Sequence, residues 1–107
     1  MAYQEPPPVV LSGAGRRLWS ALAEQGVISG ATWEIALLGC KQADRAGECR
    51  EILRSDGIVI VNSRGQPTPH PAVEIERKAS LVVAKLVEQI GGKVPEPEES
   101  ATEDLYS

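Results

Sequence analysis

Cys40, Cys49, His70 and two pairs of basic residues, Arg16-Arg17 and Lys41/Arg45, are the groups in this chain whose chemistry could matter. The cysteines stand nine residues apart, with no His and no second Cys pair nearby. A zinc site needs closer pairs, such as C-x2-C or C-x4-C, and two further ligands. The spacing therefore predicts two reduced, buried thiols that serve as small apolar side chains. His70 is the single histidine and sits between prolines in TPHPA. A His without a partner Asp, Ser or Cys does not build a nucleophilic site, and this position suits the start of a helix. There is no G-x4-G-K-[ST] phosphate loop and no G-x-G-x-x-G after a strand. Glu48 and Glu51 share one predicted helix, where ion pairing accounts for them better than a two-metal nuclease does. We expect no catalytic residue, no metal and no cofactor. The expected function is assembly or recognition rather than enzymatic catalysis.

The charges carry more information. Lys41 and Arg45 are four residues apart, as are Arg50 and Arg54, so each pair shares a helix face. Asp44, Glu48 and Glu51 fall between them at spacings that permit ion pairs along the helix. Such a mixed face is ordinary solvated surface, yet its cations also reach a nucleic-acid phosphate. Arg16 and Arg17 follow Ser12-Gly13-Ala14-Gly15 at the predicted start of a helix. A helix N-terminus favours anions, so two cations there point to a negative partner. The net charge of −4 hides a split. From Val94 onward there are five acids and no base, whereas residues 1–93 hold eleven bases against ten acids, a net of +1. A block of like charge with proline is expected to be solvated and disordered. Leu105 and Tyr106 follow the acids and offer an apolar hook for a partner. Such a tail can also compete with nucleic acid for a basic surface.

These groups must be positioned by a short succession of elements. Residues 1–10 read as a flexible Pro-rich arm, 11–93 as the folded domain and 94–107 as the acidic disordered tail. A first helix is predicted from Arg16 to Gln25, with Ser12 as its cap and Gly26 as its stop. Leu18, Trp19, Leu22 and Ala23 line one side of it. A second helix runs from about Thr32 to Ser55, capped by Ser29 or Thr32 and ended by Gly57. Gly39 and Gly47 lie inside it, each costing roughly 1 kcal/mol relative to Ala, so packing must compensate or the helix must kink. Ala36, Cys40, Ala43 and Gly47 form a stripe of small residues that fits either a subunit interface or ordinary packing against the first or third helix. Ile58 to Val61 is a strand and Asn62 to Gly65 a turn. Gln66 and Thr68 begin a short return strand, which Pro67 and Pro69 confine to an edge. The last helix begins at Pro71 and stops at Gly91-Gly92. Ala72, Ile75, Ala79, Val82, Val83, Leu86 and Ile90 form its apolar stripe. Leu81 and Val87 widen that stripe enough for burial on two sides, as in an oligomer. The fold class is mainly α: three helices with a short β-hairpin before the last helix, and disordered termini. At 107 residues without Phe the core is thin, and oligomerisation is a common remedy. No apolar run approaches the roughly 20 residues needed to cross a membrane. MAYQEPPPVV lacks the pattern of a signal peptide, so the expected location is the cytoplasm.

Taken in order, Leu18-Trp19, Gly26-Val27-Ile28, a long helix ending Ile52-Leu53-x-x-x-Gly57, then Gly65, His70-Pro71 and a last helix closing at Ile90-Gly91 resemble a tailed-phage terminase small subunit. The resemblance spans roughly Leu11 to Pro95. It differs at His70, where the family usually carries Asn before the proline. It implies a non-enzymatic packaging factor in the cytoplasm of a bacterial host. Such a factor forms a homo-oligomeric ring, binds double-stranded viral DNA at the packaging site, and recruits or stimulates the large terminase subunit that carries the ATPase and nuclease. On that reading Arg16, Arg17, Lys41 and Arg45 are the DNA contacts. Ala36, Cys40, Ala43, Ile75, Ala79, Val82, Leu86 and Ile90 supply the core and the contacts between subunits. Leu105 and Tyr106 dock the large subunit. The rival readings are a helix-turn-helix regulator, permitted by the first two helices and the Gly26–Gly30 turn, and a structural adaptor that binds no DNA.

Overall fold

The computed structural model describes residues 7–95. Its elements run α1 (Gly13–Glu24), α2 (Trp33–Asp56), β1 (Val59–Val61), β2 (Pro67–Pro69) and α3 (Pro71–Gln89). This is the mainly helical fold with a hairpin before its last helix that the sequence predicts. The expectation of disordered ends falls chiefly on residues 1–6 and 96–107, outside the described part.

Helix α1 begins three residues earlier than the predicted Arg16, and Ser12 does not cap it through its side chain. The cap arrives from α2 instead. One oxygen of the Asp44 carboxylate accepts the Ser12 N–H at 2.8 Å and the other accepts the Gly15 N–H at 2.6 Å. A carboxylate there satisfies donors that have no partner in the helix and complements the helix dipole. Asp44 therefore serves α1, not the ion pairs along α2 that its spacing suggested. Gly15 makes the approach feasible: a Cβ at this position would lie 2.6 Å from the Cys40 carbonyl oxygen and 2.7 Å from Asp44 Oδ2.

Both α1 and α3 stop by the same device. Gly26 N–H bonds to Ala23 O and Val27 N–H to Leu22 O; Gly91 N–H bonds to Glu88 O and Gly92 N–H to Val87 O. This is the Schellman pattern, which needs a left-handed residue that glycine adopts without strain, and Gly26 and Gly91 have φ of 74° and 82°. Thr32 precedes α2 without capping it by its side chain. Its hydroxyl donates to Val27 O at 2.6 Å and accepts from Ser29 N–H at 2.9 Å, which locks the α1–α2 turn.

The main core joins Leu11, Leu18, Trp19, Leu22 and Ile28 to Ala36, Cys40 and Ala43 of α2 and to Val83 and Val87 of α3. Trp19 is 1% exposed and meets Trp33 edge-on, with ring centroids 5.8 Å apart at 78°, a favoured aromatic geometry. The small-residue stripe of α2 is thus occupied within the chain. A Cβ on Gly47 would sit 3.2 Å from Ala14 Cβ, so Gly47 lets α1 lie close. The other internal glycine, Gly39, has ordinary room, with Leu86 Cβ at 3.6 Å from such an atom.

Helix α3 turns Ala72, Ala79, Val83 and Val87 inward. The predicted stripe divides. Val87 is core, Leu86 and Ile90 are half-buried, and Ile75 and Val82 are each 38% exposed. At 100° per residue, Ile75 and Val82 fall on the flank of the inward face, and one chain does not cover an apolar arc that wide.

The hairpin pairs Val59 with Pro69, Ile60 with Thr68 and Val61 with Pro67 in antiparallel register. The return strand is the predicted proline-bearing edge strand. Asn62 Oδ1 accepts the N–H groups of Arg64 and Gln66, at 2.9 and 3.0 Å, and so fixes the turn. Such local side-chain bonding is why Asn is favoured in turns.

Candidate functional site

The groups most capable of chemistry are put to structural use. Cys40 and Cys49 are free and buried. Burial, reinforced by the neighbouring charge of Asp44, pushes the Cys40 thiol up to about 12. Reactivity belongs to the thiolate, so this thiol is inert at neutral pH. His70 precedes α3, and its Nδ1 accepts the Ala72 N–H at 3.0 Å. With Nδ1 accepting, Nε2 carries the proton and donates to Asp56 Oδ2 at 3.1 Å. The ring therefore caps α3 and pins its start to the end of α2. An Asn could make the first of these bonds, and the imidazole adds the second. Among the described residues, no group of three or more His, Cys, Asp or Glu could hold a metal ion.

The cations sort into two sets. Arg50 pairs with Glu76 at 3.1 Å and ties α2 to α3. Arg54 pairs with Glu51, and Arg77 with Glu74, each three residues apart on one helix. The hydrogen bond from Arg77 holds the Glu74 carboxyl below its ordinary range. Arg16, Arg17, Lys41 and Arg45 are all exposed, and among the described residues none of them forms a salt bridge. Because α1 starts at Gly13, Arg16 and Arg17 lie about one turn inside it. The negative group expected at this helix end belongs to the chain itself, as Asp44. Arg16 Nε donates to Leu11 O at 2.8 Å, which holds the guanidinium at the surface. Arg16 and Arg17 border a shallow open groove with Ser20, Ala21, Glu24 and Pro95.

Sequence reasoning missed several residues of this surface. Arg64 in the hairpin turn and Lys78 and Lys85 on α3 are likewise exposed and without a salt bridge among the described residues. The seven-residue spacing of Lys78 and Lys85, which places them on one face, was a usable signal. Gln25 was also missed. Its side chain donates to Lys93 O at 2.8 Å and accepts Lys93 N–H at 2.7 Å, clasping the chain that leaves α3. No local pattern announces a contact between residues so far apart in sequence. Of the predicted core and interface set, Ala36, Cys40, Ala43 and Ala79 are buried in the chain, while Ile75 and Val82 face outward beside Leu81. Leu105 and Tyr106 lie outside the described residues.

Residues 16–91 match the family described as the small subunit of phage terminase. The chain belongs to the phage terminase small subunit family. The matched stretch takes in most of α1, all of α2, the hairpin and α3, with Arg16, Arg17, Lys41 and Arg45 among its residues, and membership places the chain in viral DNA packaging. No curated protein and no solved structure matched the chain. Among the described residues, no helix of this terminase small subunit is long and apolar enough to cross a membrane.

Proposed function

We propose that this small subunit is a non-enzymatic packaging factor of the host cytoplasm. It assembles into a homo-oligomeric ring, binds double-stranded viral DNA at the packaging site, and recruits or stimulates the large terminase subunit. The observation that carries the reading is the exposed set Arg16, Arg17, Lys41 and Arg45, which lacks salt bridges within a stretch matching the family. Cations not committed to carboxylates are available to backbone phosphates, which position a protein on a duplex without reading its sequence. One subunit offers too few of them for tight binding. Repetition around a ring supplies avidity, with effective concentrations of order mM for linked sites.

Ile75 and Val82, with the half-buried Leu86 and Ile90, form the contact between subunits, while Ala36, Cys40, Ala43 and Ala79 hold the chain's own helices together. Leu105 and Tyr106 dock the large subunit. The test is DNA binding as a function of salt. Affinity should fall with a slope of about −0.9 per phosphate neutralised, and Arg16→Ala/Arg17→Ala in an intact oligomer should weaken binding and flatten that slope. An unchanged slope overturns the DNA assignment. Deleting residues 96–107 should abolish stimulation of the large subunit and spare oligomerisation. A dimer with a palindromic footprint would instead mark a helix-turn-helix regulator, and no shift at low salt would mark an adaptor.

A further inference from the structure

We propose that the open edge of β1 pairs with β1 of a second copy of the chain, antiparallel about a two-fold axis at Ile60. A ring repeats one head-to-tail contact between unlike surfaces, so this like-to-like contact is additional to the ring.

The hairpin's hydrogen bonds identify the open edge. His70 N–H bonds to Ile58 O and Asn62 N–H to Gln66 O, so Ile58 and Asn62 face the return strand. Pairs in an antiparallel ladder alternate, so Ile60, opposite Thr68, faces inward as well. The N–H and C=O groups of Val59 and Val61 therefore point away from β2. Among the described residues no backbone group outside the ladder reaches them, and both side chains are exposed. The outer edge of β2 is closed. Pro69 and Pro67 stand opposite Val59 and Val61, at the positions whose N–H would point outward, and proline has no N–H.

That asymmetry selects the occupant. Natural edge strands are protected by proline or charge, yet Gly57–Asn62 holds neither. Adding β1 of one copy to β2 of another fails for want of donors on β2. Two β1 edges, in contrast, complement each other. A two-fold axis at Ile60 sets Val59 of each copy opposite Val61 of the other, and each such pair exchanges two hydrogen bonds. All the outward groups of Val59 and Val61 are then satisfied. Charge agrees with this direction. Antiparallel pairing brings Arg64 of each turn toward the Asp56 end of the other copy's strand. Arg64 is exposed and, among the described residues, has no salt bridge. Asp56 is exposed and gives only Oδ2 to His70, which leaves Oδ1 for a guanidinium. Parallel pairing would set Arg64 beside Arg64 instead. Strands this short pair marginally in isolation. The contact is therefore weak between two free chains and gains where an oligomer gathers several copies.

Disulfide trapping tests the axis. In this register the two Ile60 residues form a pair without hydrogen bonds, with Cα atoms about 4.5 Å apart, within the range a disulfide spans. Full-length Ile60→Cys, oxidised with glutathione disulfide, should give a crosslinked dimer on the order of 10-fold faster than Thr68→Cys, on the closed strand. Wild type, whose two thiols are buried, sets the baseline. Equal rates for the two variants mean chance collision and overturn the proposal. Adding Val59→Pro/Val61→Pro to Ile60→Cys removes the outward donors, spares the inward ladder and should abolish the excess. Adding Arg64→Asp instead, in the exposed turn, should slow trapping at low salt and do so less at about 0.5 M salt, where charges are screened. Trapping that neither change slows overturns the strand pairing. Ile60→Cys should also be trapped in the Ile75→Asp/Val82→Asp background at high protein concentration, and that result keeps the pairing even if the ring fails. Trapping absent from both backgrounds overturns the pairing and leaves the ring untouched.

Discussion

The junction of α1 with α2 and the outer flank of α3 are built on opposite terms. At the junction the helices pack closely, with the buried Trp19 Nε1–H left without a partner among the described residues. Asp44 fills the end of α1, Gly15 and Gly47 let the helices touch, and Ala36, Cys40 and Ala43 are buried against α1. On the α3 flank and the adjoining hairpin, Ile75, Leu81, Val82, Ile58, Val59 and Val61 stay exposed. The hairpin is held by polar contacts instead: His70 bonds to Asp56 and to Ile58 O, and Asn62 to Arg64 and Gln66. Both regions hold apolar stripes in the sequence. The small-residue stripe is consumed by the chain's own packing, and part of the stripe of larger residues stays exposed.

That contrast can be broken most forcefully at the junction. Leu22→Ala, at a side chain with no exposure, should cost about 2–5 kcal/mol in denaturant unfolding, a large share of a small domain's stability. Asp44→Ala should cost about 1–2 kcal/mol, and hydrogen exchange should accelerate selectively at the Ser12 and Gly15 amides. A uniform acceleration would show that Asp44 supports the fold in some other way. On the open flank, Ile75→Asp/Val82→Asp, at side chains each 38% exposed, should cost the chain less stability than Leu22→Ala does while dissociating the proposed oligomer. Loss of the fold would mean that the flank belongs to the core.

Cys40 sharpens the comparison through pH. Its thiol holds its proton in the folded state up to about 12, against an ordinary value of 9.0. The folded chain thus binds more protons than the unfolded chain between those values. The stability this provides is complete below pH 9 and is lost as pH rises toward 12. Wild type should therefore lose stability relative to Cys40→Ala across that window in thermal melts. The smallest effect is a gain: Gly39→Ala has room for its methyl and should stabilise α2 by up to about 1 kcal/mol.

Much of this was legible in the sequence, and the reasons are local. Gly26, Gly57 and Gly91 mark helix ends through their own backbone, Pro71 marks a helix start, and the Asn62–Gly65 turn is fixed by a side chain four residues from its far partner. What could not be read was set by contacts across the fold. Asp44 looked like one charge among several on a mixed face, and only the approach of α1, some thirty residues earlier, makes it a cap. Gln25 looked like the last polar residue of a helix, and its partner is Lys93. Periodicity identified α3 correctly but could not divide its wide apolar arc into an inner face and a flank, because that division depends on where α2 lies.

The claim on which the rest depends is that the exposed flank of α3 is a subunit interface. Native mass spectrometry of the purified full chain tests it most directly. The account predicts one closed oligomer at an integral multiple of the chain mass, which Ile75→Asp/Val82→Asp converts to monomer. A folded wild-type monomer at micromolar concentration would contradict it.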